Sequence, residues 1–170
     1  MQSKQPPPDP KHIALVKLLP DEIVQWGIWH QEKPLPTYCK GRVAILGDAA
    51  HACAPYLSTG AGQGYEDALV IAELFKAVLQ QDNRSAGLNT AVQQALQTHS
   101  YVRRKRTQYV VQSSFEAGEL LMGARSTFDE AAREYAERND IIWRYDIKGV
   151  VEFALACQSE VQQDQNARKE

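Results

Sequence analysis

No apolar run in these 170 residues approaches the ~18–20 positions that a membrane-crossing helix needs, so no membrane span is expected. Gln2 to Pro10 lacks the apolar centre of a secretory leader. Cysteine is scarce: Cys39, Cys53 and Cys157 are odd in number and form no CxxC, which argues against a disulfide framework or a zinc ribbon. Reduced thiols without a leader point to the cytoplasm. Charge of one sign is also missing. With 19 Lys and Arg against 21 Asp and Glu the net charge is -2, so no basic field invites nucleic acid. There is no GxGxxG after a strand: Gly60-Ala61-Gly62-Gln63-Gly64 has five positions where the dinucleotide loop has six, and no strand directly before it. Without a GxSxG elbow, Asp48, His51 and Ser58 make no argument for a catalytic triad. His51-x-Cys53 lacks further ligands at metal spacing, so no metal is expected and packing is the expected role of His51.

What remains is one domain's worth of chain with a patterned interior. Residues 1–10, with Pro6-Pro7-Pro8, read as a tail; residues 11–158 read as a single unit; the polar residues 159–170 are expected to fray. Ile13 to Leu19 is apolar and consistent with helix or strand, stopped by Pro20-Asp21. Alternation from Ile23 to Trp29 puts Val24, Trp26 and Ile28 on one face of a half-buried strand. Pro34-Leu35-Pro36 forces an extended connector. Trp26, Trp29 and Trp143 are expected as core or interface anchors.

From Gly41 the chain reads GRVAILGDAAHACAPYLSTGAGQGYEDALVIA. Arg42 to Leu46 lacks polar alternation, as in a strand covered on both faces. It ends at Gly47 and Asp48, and a glycine-dense loop, Gly60 to Gly64, follows. Glu66 and Asp67 then open a helix whose apolar stripe is Ala68, Ile71, Ala72, Phe75, Val78 and Leu79. A second helix from near Ala86 carries Ala91, Ala95, His99, Val102, Arg106, Tyr109 and Ser113 at steps of three or four, with Gly118 or Gly123 as its stop. Within it, Arg103-Arg104-Lys105-Arg106 reads as a solvated face paired with nearby acids. Ser126 with Asp129, or Thr127 with Glu130, gives a capping box for a third helix from Phe128, and Asp140 or Asp146 can cap a later one. The fold class is therefore α+β and mostly helical: a few strands, a glycine loop, then four or five helices.

GDAAH, Pro55, GAGQG and Glu66-Asp67-Ala68 together resemble the second FAD-binding motif of the flavin-dependent aromatic hydroxylases, the salicylate-hydroxylase-like monooxygenases. Ser113 to Gly118 and Trp143 to Asp146 look like that family's carboxyl-terminal segments. The resemblance runs roughly from Trp26 to Ala156. Ser58 departs from it, standing where many relatives carry glycine.

The resemblance implies FAD as cofactor, NAD(P)H as reductant, dioxygen and a small aromatic substrate, with no side-chain nucleophile. It places Gly47, Asp48, Pro55, Gly60, Ala61, Gly62, Gln63 and Gly64 around the flavin, Asp48 toward the ribityl hydroxyls and Pro55 on the ring face. Backbone N–H groups at a helix start suit an electron-rich ring edge. With no GxGxxG among these residues, the chain is expected to be the carboxyl-terminal part of a hydroxylase, starting partway through its substrate domain and binding FAD weakly alone. The alternative is a non-enzymatic remnant or interaction module that keeps the fold.

Overall fold

The computed structural model describes residues 9–80, 87–123 and 127–167, with side chains to residue 160. Among the described residues there are six α-helices and one two-stranded hairpin, the mostly helical α+β arrangement expected. Asp9 caps α1 (Pro10–Val16), and its side chain accepts from Lys11 N. β1 (Cys39–Lys40) pairs antiparallel with β2 (Val43–Ala44), Cys39 opposite Ala44. α2 (Asp48–His51) and a 3-10 turn (Pro55–Leu57) lead into α3 (Gly60–Gln80). α4 (Leu88–Leu121), α5 (Phe128–Trp143) and α6 (Ile147–Ala167) complete the chain.

Three helices share the first apolar centre. Val70, Leu74 and Val78 of α3 meet Ala91 and Ala95 of α4 and Ala154 of α6, all buried. Burying each of the three larger side chains is worth about 1.5–3 kcal/mol, and the small alanines opposite let the helices approach. A second cluster, Leu57, Val110, Ala117 and Ile142, joins the 3-10 turn to α4 and α5. α4 also grips the proline connector: Gln108 Nε2 donates to Leu35 O at 3.0 Å and Arg104 to Pro36 O at 2.6 Å. Tyr38 N donates to Ser100 Oγ at 2.8 Å.

Several expectations hold. α4 ends at Leu121, just before Gly123 at φ +86° rather than at Gly118, and Thr127 caps α5 by accepting from Glu130 N. Asp146 accepts from Gly149 N at 3.0 Å at the start of α6. Ser126 lies outside the described residues.

Others are corrected. Residues 23–29 form no strand: Val24 is 77% exposed and Trp26 85%, because no neighbouring strand among the described residues offers hydrogen bonds. Trp29 and Trp143 are also exposed, so none of the three tryptophans anchors the core. β2 is not covered on both faces, since Val43 and Ile45 are exposed. The buried stripe of α3 is Gln63, Asp67, Val70, Leu74 and Val78, rotated from the expected one, because buried Asp67 turns that face toward α4. α6 continues through residues 159–167 instead of fraying at Ser159. Its Gln, Glu and Ala are adequate helix formers, and propagation from a packed helix is cheap.

Candidate functional site

The chain leaves β2 through Gly47, whose φ of 56° and ψ of -139° suit a residue without Cβ. Asp48 follows at once, exposed at the start of α2. Ser58 is left-handed at φ 53°, the only non-glycine residue with positive φ among those described. A serine there carries strain that glycine would relieve.

Thr59 stands at the N-cap position, since its carbonyl accepts from Gln63 N at 3.0 Å, the first helical bond of α3. Gly60, Ala61 and Gly62 therefore form the first helical turn rather than a loop, and their three amides have no intrahelical acceptor. An N-cap threonine ordinarily accepts from one of them. Here Thr59 Oγ1 is buried and has no hydrogen-bond partner, so the amides stay free. Ala61 and Gly62 are exposed, and a Cβ built on Gly62 would meet nothing within 4 Å. A Cβ on Gly64 would lie 3.9 Å from Gly47 Cα, and one on Gly60 3.3 Å from Cys53 Sγ. The strand end and the segment before Pro55 thus flank the same turn. Burial first, then the charge of Asp48, push the Cys53 thiol above its ordinary value.

Beneath this mouth lies an ionic cluster. Asp67 Oδ2 accepts from His51 Nε2 at 2.6 Å and Gly47 N at 3.1 Å, while Oδ1 accepts from Arg103 Nε at 2.8 Å. Burial alone would raise the Asp67 carboxyl, but bonds from His51, Arg103 and Gly47 overcome it and hold it down to about 2. An ionised carboxylate only accepts, so His51 carries its proton on Nε2. Arg103 Nη1 pairs with Glu66 Oε2 at 2.7 Å, and Nη2 donates to Gln63 Oε1 at 3.1 Å. Arg106 donates to Ile142 O at 2.8 Å and lies 4.0 Å above the Tyr145 ring.

A separate set of contacts seats the Pro55 turn. Ser114 Oγ donates to Ala54 O, and Tyr135 Oη donates to Tyr56 O at 2.8 Å. Gly118 allows the Tyr56 ring against α4: an added Cβ would come within 2.4 Å of it. Gly118→Ala should lower stability by about 1–2 kcal/mol, overpacking outweighing the helix-propensity gain. A thermal melt checks this, and an unchanged or raised Tm would mean the ring swings clear.

Gly47, Gly60, Ala61, Gly62 and Gly64 thus lie in or against the first turns of α3, with Asp48 directly after Gly47 and Pro55 five residues before Gly60 in the chain. Gln63 is the exception. Its amide is spent on Thr59 and its buried side chain bonds Arg103 and Glu66, so it braces the mouth from inside. The basic run is half corrected: Arg104 and Lys105 are exposed, but Arg103 is fully buried and Arg106 7% exposed, because helical spacing puts both on the face toward Glu66. Sequence reasoning missed Thr59 and the centrality of Asp67. A threonine directly before the first helical glycine was the available signal for the one, an acid at the same helical face as Val70 and Leu74 for the other. Concavities of about 460 and 310 Å³ lie elsewhere, along α4 and α6.

A strand end packed against a glycine-rich helix start is an arrangement that suits an electron-rich ligand group. Residues 10–107 match the family model described as FAD binding domain, and the chain belongs to that family. It is 36% identical over 155 residues to an FAD-dependent monooxygenase of Hypocrea jecorina (strain QM6a), covering 86% of this chain and 34% of that one. A second FAD-dependent monooxygenase, from Aspergillus terreus (strain NIH 2624 / FGSC A1156), is 39% identical over 146 residues, covering 82% and 33%. A solved salicylate hydroxylase substrate complex superposes with a TM-score of 0.60 at 38% identity, covering 71% of this chain and 29% of that one. The chain therefore spans about a third of the length of the curated relatives it matches. The resemblance drawn from GDAAH through GAGQG is borne out, and among the described residues no helix is long and apolar enough to cross a membrane.

Proposed function

We propose that residues 11–158 are the flavin-facing portion of a monooxygenase that hydroxylates a small aromatic substrate with NAD(P)H and dioxygen. The observation that carries this is the uncapped first turn of α3, with Thr59 Oγ1 unbonded and open space over Gly62. Bound FAD supplies the electron transfer and the activation of oxygen. The chain's part is to hold and polarise. Amides of Gly60, Ala61 and Gly62 donate to electron-rich oxygen at the positive end of a 21-residue helix, each bond worth about 1–3 kcal/mol when charge-assisted. Asp48, exposed directly after Gly47, accepts from hydroxyl groups, and exposed Pro55 offers a flat apolar edge to the ring. Gly47 and Gly64 leave room for close backbone approach. No side chain here is required to move a proton.

The 170 residues hold no GxGxxG to grip a pyrophosphate, so most of the cofactor's surface stays uncovered. FAD should bind this polypeptide with a Kd of ~0.1–1 mM, about -4 to -5.5 kcal/mol, and the chain alone should not turn over. Titrating the ¹⁵N-labelled protein with FAD should shift the Gly60, Ala61 and Gly62 amides. Gly62→Leu, which fills the open space, should weaken this at least tenfold with Tm unchanged. A protein that purifies yellow with stoichiometric flavin would refute weak binding, and shifts confined to other residues would refute the site.

A further inference from the structure

We propose that Asp67 is the positioning residue of this half-pocket: its carboxylate fixes the Gly47–Asp48 turn against the mouth of α3. The inference rests on the flavin reading above. Asp67 lies two turns inside α3 and is fully buried, yet two of its three close partners belong to the short segment that carries Asp48. Gly47 N, the amide directly before Asp48, donates to Oδ2 at 3.1 Å; His51 Nε2, at the far end of α2, donates to the same oxygen at 2.6 Å. One oxygen thus ties both ends of a four-residue helix, and with it the bearing of Asp48.

The other oxygen fixes the carboxylate itself. Arg103 Nε donates to Oδ1 at 2.8 Å, and the same guanidinium reaches Gln63 O at 3.3 Å and Glu66 Oε2 at 2.7 Å. Arg103 therefore bonds three residues within one turn of α3, Gln63, Glu66 and Asp67, and fixes that turn, directly after Gly60 to Gly62, against α4. Buried ion pairs are often no more stabilising than apolar side chains of similar volume. What this one adds is direction, because carboxylate, amide and imidazole must meet at hydrogen-bond angles. The half-pocket is thereby held in shape without a ligand.

Asp67→Asn keeps the volume but turns one accepting oxygen into a donor. In ¹⁵N spectra the Gly47 amide proton should lose the downfield shift that a carboxylate partner confers, and the FAD-induced shifts of Gly60 to Gly62 should require at least tenfold more FAD. His51→Leu, which leaves the Asp67–Arg103 pair whole, should weaken FAD about threefold and carries the test should Asp67→Asn not fold. Asp67→Asn or His51→Leu that keeps wild-type FAD affinity overturns the positioning role alone. A wild-type protein whose Gly60 to Gly62 amides ignore FAD overturns the flavin reading, and this inference with it.

Discussion

Replacing Arg103 by methionine should cost about 3–5 kcal/mol of stability, the range for removing one partner of a buried ion pair. Methionine fills much of the volume of the arginine stem, so the loss is electrostatic rather than a cavity. It leaves Asp67, fully buried, with only His51 and Gly47 as close partners, and takes one of its two cations from Glu66. A domain of this kind is stable by about 5–15 kcal/mol in total, so the variant should sit near the edge of folding. Urea unfolding should show the midpoint falling by ~1.5–2.5 M for a slope of ~2 kcal/mol/M. Adding Asp67→Leu to Arg103→Met should recover part of the loss, since the stranded charge is then gone. A cost under about 1 kcal/mol would mean that water reaches the cluster and that the buried pairing is not what holds α3 to α4.

The helices and the glycine motif were legible in the sequence because their signals are local. Periodicity placed α4, a capping threonine placed the start of α5, and the run from GDAAH to Glu66-Asp67 marked the mouth of α3. What was not legible depends on partners distant in the chain. The alternation at Val24, Trp26 and Ile28 is a strand signal with no neighbouring strand to satisfy it among the described residues, so the local preference goes unused. The stripe of α3 was misjudged because hydrophobicity alone ranks Asp67 as outward. Partners distant in the chain, His51 sixteen residues back and Arg103 thirty-six residues on, make its burial affordable. The same blindness made Arg103 look solvated inside a basic run, although its spacing from Arg106 puts both on one face. The proposed flavin contacts rest on the free amides of α3 and on Thr59, whose unbonded hydroxyl no sequence pattern reveals.

Acid should weaken this protein from unusually mild pH, and His99 is the cause. The side chain is fully buried on α4, neither ring nitrogen has a hydrogen-bond partner, and Asp67 Oδ1 is 3.8 Å from Nε2. Burial lowers its pKa from 6.5 to about 4; the charge of Asp67 opposes the shift, and Arg103 and His51 add to it. Because the folded value is depressed, the folded protein keeps His99 neutral in a range where the unfolded chain takes up a proton. Stability is therefore whole above about pH 6.5 and falls as pH drops toward 4, by on the order of 3 kcal/mol. Asp67, held down to about 2 from 3.8, contributes stability that is present above about pH 4 and is lost as pH falls through 2. The two losses follow one another in the same direction, giving a long acid ramp. His99→Leu removes an imidazole that has no partner to lose, so at pH 7 it should be near neutral in stability. Its curve between pH 6.5 and 4 should be flatter than the wild type's, with the steeper fall below pH 4 retained. Urea midpoints measured at half-unit intervals give both curves, and their difference isolates His99 from every other titrating group. Parallel curves would show that the imidazole gains its proton inside the fold, with Asp67 near enough to hold the charge against burial.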